Sequence, residues 1–160
     1  MGEFPIFFRH LRKTDGKDEG RMFFGEYRHA IDAKGRLFIP VKLRAELGER
    51  FWVCKGLGKC LQVFTDQSWN DFCARLDTLS VAQARHIKLY FYSGANETQL
   101  DAQGRIALTP QHREFASIER NVVIVGNRTH LEIWSESEWD SEQSYLGSEE
   151  ITRELERLGF

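Results

Sequence analysis

Two aspartate–arginine pairs share one spacing and one frame: Asp32-Ala-Lys-Gly-Arg36 and Asp101-Ala-Gln-Gly-Arg105. An aspartate in such a position accepts backbone N–H bonds from residues just ahead of it, and glycine supplies the positive φ that a tight turn requires. Asp32, Asp101 and Gly104 are therefore read as turn-building residues. The arginine that follows each glycine carries a permanently charged planar fork, suited to a guanine edge or to a phosphate. Projection of Arg36 from a hairpin tip, with Arg105 as its counterpart, is the expectation. Lys34, inside the first turn, suits a phosphate. Gln103 at the matching place should supply less nonspecific affinity. Gly35 would let the backbone come close to a duplex, and Lys42, Arg44 and Arg113, just beyond the turns, are candidate contacts to a nucleic-acid backbone. The competing use of each pair is a salt bridge that merely braces its turn. An exposed bridge of that kind contributes only ~0–1 kcal/mol, a weak reason to specify the arrangement twice.

Other chemistries fit less well. A shared-proton aspartate dyad needs Asp-Thr/Ser-Gly corners, whereas the third positions here are Lys34 and Gln103. Gly56-Leu-Gly-Lys-Cys60 is too short for a phosphate-binding P-loop, which needs a further glycine at position 53 and a hydroxyl at position 60. Cys54, Cys60 and Cys73 have no Cys-x-x-Cys spacing, and the scattered histidines do not complete a zinc set. They read as buried free thiols. No catalytic residue, metal site or cofactor is predicted, and the chain is read as a non-enzyme.

The elements that must position these residues also come in two copies. After the paired Asp-x-x-Gly-Arg segments, offset by 69 residues, a proline follows each (Pro40, Pro110) and Arg44 matches Arg113. Cys60-Leu-Gln-Val-Phe-Thr then matches His130-Leu-Glu-Ile-Trp-Ser. Such internal repetition governs the choice of fold. Each copy reads as a strand (Phe23 to Ile31 in the first), a tight turn, a short strand ended by proline, a helical turn, a hairpin and then helix. In the first copy Thr65 or Asp66 caps a helix with Trp69, Phe72, Cys73, Leu76 and Leu79 inward. Ser80 begins another, with Ala84, Ile87 and Phe91 inward and Gly94 as its stop. In the second, Ser135-x-x-Glu138 is a predicted capping box. A last helix over 148–158 carries an apolar stripe of Ile151, Leu155 and Leu158 that must pack on its own domain or on a neighbouring subunit. Residues 1–21 match neither copy and are read as a disordered extension or remnant. Arg9, Arg12, Lys13 and Lys17 within them could form a basic arm. The divisions are 1–21, then 22–94 as first repeat with its helices, then 95–160 as second repeat with the C-terminal helix.

The 160 residues are 41% hydrophobic and 29% charged, with twelve Phe, four Trp and four Tyr, which places them among globular chains able to build a core. Net charge is −2, but the distribution is uneven: nine acids against Arg153 and Arg157 in residues 132–160, and a surplus of bases before them. A polarised molecule can offer a basic face to phosphates. No apolar run approaches a membrane helix, and Phe4 to Phe8 is too short for a signal-peptide core, so no membrane partner and a cytosolic location are expected.

Met22-Phe-Phe-Gly, Asp32-Ala-Lys-Gly-Arg-Leu-Phe-Ile-Pro-Val-Lys-Leu-Arg44 and Asp101-Ala-Gln-Gly-Arg-Ile-Ala-Leu-Thr-Pro-Gln-His-Arg113 resemble the MraZ family over residues 22 to about 140. The resemblance implies an α+β fold. Two tandem, pseudo-symmetric AbrB-like swapped-hairpin β units would form one small barrel-like core, with helices after each repeat. It implies a transcriptional regulator in the cytoplasm and nucleoid, assembled as a ring-shaped homo-oligomer. The Asp-x-x-x-Arg regions would meet short direct repeats of double-stranded DNA upstream of the division and cell-wall cluster, its own operon. His112 stands where the pattern has an aliphatic. The alternative is a non-enzymatic oligomeric scaffold whose acidic C-terminal face binds a protein.

Overall fold

The computed structural model describes residues 22–160; the extension and basic arm expected over residues 1–21 lie outside the described residues. Fourteen elements follow in order: β1 (Glu26–Ala30), β2 (Arg36–Phe38), α1 (Val41–Leu47), β3 (Phe51–Lys55), β4 (Cys60–Thr65), α2 (Asp66–Leu76), α3 (Val81–Ser93), β5 (Asn96–Thr98), β6 (Arg105–Ala107), α4 (Pro110–Phe115), β7 (Asn121–Gly126), β8 (His130–Ser135), α5 (Glu136–Leu146) and α6 (Glu149–Arg157). The fold is α+β, with every strand pair antiparallel.

The order of the strands does not follow the order of the chain. A six-stranded sheet runs β1-β7-β8-β4-β3-β5, and β2 and β6 form a separate two-stranded ribbon. Each copy contributes a hairpin, β3–β4 or β7–β8, and the two meet side by side at β4 and β8. The leading strand of each copy lies on the hairpin of the other: β1 on β7, β5 on β3. The Asp32–Gly35 turn therefore does not close a hairpin between β1 and β2. Apart from a single bridge, Ile31 to Leu37, it hands the chain from the sheet to the ribbon, because both of its flanking strands find longer partners in the other copy.

Period-two alternation explains the layers. Phe51, Val53, Leu61, Val63, Val122, Ile124, Leu131 and Ile133 point to one side of the sheet, where they meet Leu37 and Ile106 of the ribbon and Leu43 and Leu47 of α1. Alternate residues point to the other side. Cys54 and Phe64 are covered there by Trp69 and Leu76 of α2 and Phe91 of α3, while Cys60, Val123 and Trp134 meet Trp139 of α5. With both faces covered, the hairpin strands can be nearly continuous apolar runs.

The helices start where sequence signals place them, with two differences. Thr65 accepts from the Ser68 amide at 3.0 Å and caps α2. The reciprocal capping box, however, forms at Ser80 and Gln83 of α3. At α5 only the Ser135 half forms, accepting from the Glu138 amide at 3.2 Å, because the Glu138 carboxylate turns to Lys59, 3.5 Å away. Ile87, expected inward, is exposed; α3 docks through Ala84 and Phe91, and Ile87 lies off that line. α6 buries none of its side chains, and Leu155 and Leu158 of its stripe are 44% and 66% exposed.

Candidate nucleic-acid interface

The ribbon brings the two Asp-x-x-Gly-Arg frames together. Arg36 lies opposite Ala107, Leu37 opposite Ile106 and Phe38 opposite Arg105. Leu37 and Ile106 are wholly buried and anchor the ribbon to the core, so Arg36, Phe38, Arg105 and Ala107 share the outward face. Each strand extends to the other copy's turn: the Ile39 amide donates to the Gly104 carbonyl and the Leu108 amide to the Gly35 carbonyl, both at 3.0 Å.

Within each frame one carboxylate organises three donors. Asp32 Oδ1 accepts from the Lys34 and Arg36 amides, each at 2.9 Å, and Oδ2 from Arg36 Nε at 2.6 Å. Asp101 repeats this with the Gln103 and Arg105 amides at 2.9 Å and Arg105 Nε at 2.9 Å. The Arg36 amide bond is the largest influence holding the Asp32 carboxyl below its ordinary range; partial desolvation opposes it, and the Arg36 side chain and Lys34 amide add to it. Asp101 is lowered in the same way, first by the Arg105 amide. Gly35 and Gly104 have φ of 75° and 79°, the left-handed values that an L side chain adopts only with strain.

The arginines are not free prongs. Arg36 and Arg105 fold back on their aspartates, and their side chains are only 31% and 26% exposed. The carboxylate that shapes the turn also captures Nε of the guanidinium, which fixes the side chain's stem and orients the outer nitrogens. Arg105 is held further: Nη2 donates to Gln103 Oε1 at 3.2 Å and Nη1 lies 3.7 Å from Asp32 Oδ2. For Arg36 no hydrogen bond or ion pair beyond that to Asp32 occurs among the described residues.

Gly35, Arg44 and Arg113 are placed differently from the sequence expectation. Gly35 is buried, and a Cβ built there would lie 2.9 Å from Cζ of Arg113. The same Cβ on Gly104 would collide with the Arg44 guanidinium. Each helical arginine thus packs on the glycine of the other copy's turn. Absence of a side chain at these glycines admits a guanidinium from within the protein, and both arginines are half-buried. Arg44 Nε also donates to the Ile39 carbonyl at 2.6 Å, and its guanidinium lies 4.4 Å from the Phe38 ring centre. Arg113 Nε is buried without a hydrogen-bond partner among the described residues. Lys34 and Lys42 are exposed.

Sequence reasoning missed two participants. Phe38 is 39% exposed on the outward face, with the His29 ring 5.8 Å from it; its period-two relation to Arg36 was the available signal. His112 is buried on α4, where its Nε2 lies 2.6 Å from the Gly94 carbonyl. With a carbonyl as acceptor, Nε2 carries the proton, and the imidazole fastens α4 to the end of α3. Cys54 and Cys60 are buried, Cys73 only half-buried. Burial pushes the Cys54 and Cys60 thiols up to about 12, with smaller contributions from neighbouring charges, so neither presents a thiolate near neutral pH. Among the described residues, no group of His, Cys, Asp and Glu converges as a metal site, and no helix is long and apolar enough to cross a membrane.

Comparison with known proteins matches both copies. The family model described as "MraZ protein, putative antitoxin-like" fits residues 22–89 and again 91–158. Proteins named Transcriptional regulator MraZ are similar over most of their length. That of Thermoanaerobacter pseudethanolicus is 43% identical over 143 residues, 87% of this chain and 100% of the relative. That of Moorella thermoacetica is 48% identical over 121 residues, 74% of this chain and 85% of the relative. That of Heliobacterium modesticaldum is 44% identical over 138 residues, 84% and 96%. With two matched repeats joined through one shared ribbon, the chain belongs to the MraZ family.

Proposed function

We propose that this protein is a DNA-binding transcriptional regulator, and that the outward face of the β2–β6 ribbon is its reading surface. The observation that carries the reading is the placement of Arg36 and Arg105 diagonally across the outward face of one ribbon, each with its stem fixed by an aspartate. A major groove about 12 Å wide admits a two-stranded β-ribbon. Oriented guanidinium forks on such a ribbon lose little freedom on meeting a base edge or a phosphate. Lys34 at the first turn and Lys42 on α1 add phosphate contacts. Arg44, Arg113 and Gly35 support the turns from inside, and Asp32, Asp101 and Gly104 shape them.

The strand exchange between copies is the arrangement expected of paired AbrB-like swapped-hairpin units closing a small barrel, which is the fold we assign. We divide the chain at about residue 94, each repeat with its following helices. The proposed targets are short direct repeats upstream of the protein's own operon in the division and cell-wall cluster, reached in the cytoplasm and nucleoid. One ribbon offers few phosphate contacts, and such binding is weak, with dissociation constants of ~10⁻⁴ to 10⁻⁶ M at physiological salt. A ring of protomers on repeated boxes would raise avidity by ~10² to 10⁴. The exposed Leu155 and Leu158 of the α6 stripe, continuous with the half-buried Ile151, support self-association.

Footprinting on the DNA immediately upstream of the gene tests the reading. Evenly spaced, salt-sensitive protections are expected, lost in Arg36→Ala at unchanged melting temperature. Absence of protection would favour the protein scaffold instead. Leu155→Glu with Leu158→Glu should reduce the mass measured by light scattering if α6 joins protomers.

A further inference from the structure

We propose that Phe38 reads a base, making apolar contact with the C5 methyl of a thymine in the major groove, and so sets the direction in which the ribbon lies on DNA. The inference rests on the DNA-binding reading above and deepens it. Four side chains occupy the outward face, and the pseudo-twofold axis between β2 and β6 exchanges Arg36 with Arg105 and Phe38 with Ala107. The arginines alone would present the same pattern to a sequence and to its inverse. Phe38 and Ala107 break that equivalence: one copy offers an aromatic ring, the other a single methyl.

Phe38 contributes little to the core, which its neighbours Leu37 and Ile39 fill. It stays partly in water beside cations, where a large apolar ring gains least from folding. Its position is nonetheless defined, with the Arg44 guanidinium 4.4 Å from the ring centre and His29 at 5.8 Å. A ring held on two sides and exposed elsewhere meets a partner without first being ordered. Among base edges in the major groove, thymine alone presents a methyl group, and phenylalanine is one of the side chains suited to it. Lys34, at the position that Gln103 holds in the second copy, breaks the symmetry in the same sense, adding charge on the copy that carries the ring.

The test is a binding titration of the full chain on duplex DNA from upstream of its gene, with thymines replaced singly by deoxyuridine, which lacks only the methyl. At one thymine per repeated box the replacement should weaken binding about fourfold, the worth of one buried methyl group. Phe38→Ala should bind the thymine and deoxyuridine duplexes equally, while Phe38→Leu keeps part of the discrimination. Insensitivity of the unmutated protein to every replacement would overturn the proposal without any variant having to fold. Phe38→Ala that weakens binding to both duplexes alike would also overturn it, and would make the ring a shield for Arg44. In either case the DNA-binding reading survives. If the unmutated protein binds none of these duplexes, both fall together.

Discussion

The two turns have the same frame but unequal surroundings. Around Asp32–Arg36 the cation is comparatively free: Arg36 bonds to Asp32, and Lys34 and Phe38 stand exposed beside it. Around Asp101–Arg105 the cation is tied to Asp101, Gln103 and Asp32, and its neighbours within its own copy are the small or neutral Ala107 and Gln103, although Phe38 lies across the ribbon from it. The supporting arginines are unequal in the opposite sense. Arg44, beneath the second turn, is fixed by the Ile39 carbonyl and the Phe38 ring, whereas Arg113, beneath the first, has a buried Nε without a partner among the described residues. Duplication therefore preserved what backbone geometry demands, the carboxylate and the left-handed glycine. Divergence fell on what faces outward. The first turn leaves its cation with one partner, and the second ties its cation to three.

The largest effect that could break this comparison is on stability. Alanine at position 104 must adopt a left-handed φ at roughly 1–2 kcal/mol, and it also displaces Arg44 from its bond to Ile39, a charged hydrogen bond of about 1.5–3 kcal/mol. Gly104→Ala should therefore cost about 2.5–5 kcal/mol in urea unfolding. Gly35→Ala carries the same backbone strain but displaces an arginine with no such bond, so it should cost less. Equal costs would mean that the two supports do not differ. Next in size is DNA affinity. Arg36→Ala should lose about 1–3 kcal/mol, the worth of one bidentate base contact, in a mobility-shift titration. Arg105→Ala should lose less affinity and more thermal stability, because its guanidinium is already committed within the protein.

The repeated frame, the β3–β4 and β7–β8 hairpins and the capping residues Thr65, Ser80 and Ser135 were legible in the sequence, because each is set by local spacing. The exchange of β1 and β5 between hairpins is not written in any local spacing and entered only as what the family resemblance implies, since antiparallel partners are chosen by burial across the whole sheet and the Asp-x-x-Gly turn is compatible with either outcome. The same limit governed the site. Asp32, Arg36, Asp101 and Arg105 are visible as a pattern, but the seating of Arg44 on Gly104 and Arg113 on Gly35 joins residues some sixty to eighty positions apart. Nothing local distinguishes such an arginine from a solvent-facing one. Ile87 misled for the opposite reason: helical spacing gives a face, and only the packing of α3 shows which edge of that face is covered.

Lys34 and Gln103 permit a sharper and smaller test. A lysine that contacts phosphate releases about one counterion, so Lys34→Gln should lower the slope of log affinity against log salt by about 1, uniformly across DNA sequences. Gln103→Lys should raise it by a similar amount if the second turn also lies against the backbone. No change would place the second turn away from the duplex and widen the contrast between the copies.

The smallest effect is on acid stability, and it also differs between the turns. Both carboxyls are lowered in the folded protein, chiefly by the backbone amides of Arg36 and Arg105. In the unfolded chain they return toward their ordinary value of 3.8. A group lowered by folding stabilises the native state fully above its unfolded value, and that support is lost as pH falls through its folded value. The thermal midpoint should therefore hold steady above about pH 5 and begin to fall near pH 4, as these carboxylates take up protons. Asp32 serves Arg36 at 2.6 Å and also lies 3.7 Å from Arg105, whereas Asp101 serves Arg105 alone at 2.9 Å. Both carboxyls should titrate below an ordinary aspartate when side-chain carboxyl resonances are followed by NMR. Asp32→Asn should flatten the acid limb of the stability profile more than Asp101→Asn. The reverse order would show that the Asp101–Arg105 pair, not the Asp32–Arg36 pair, is the more strongly coupled to folding.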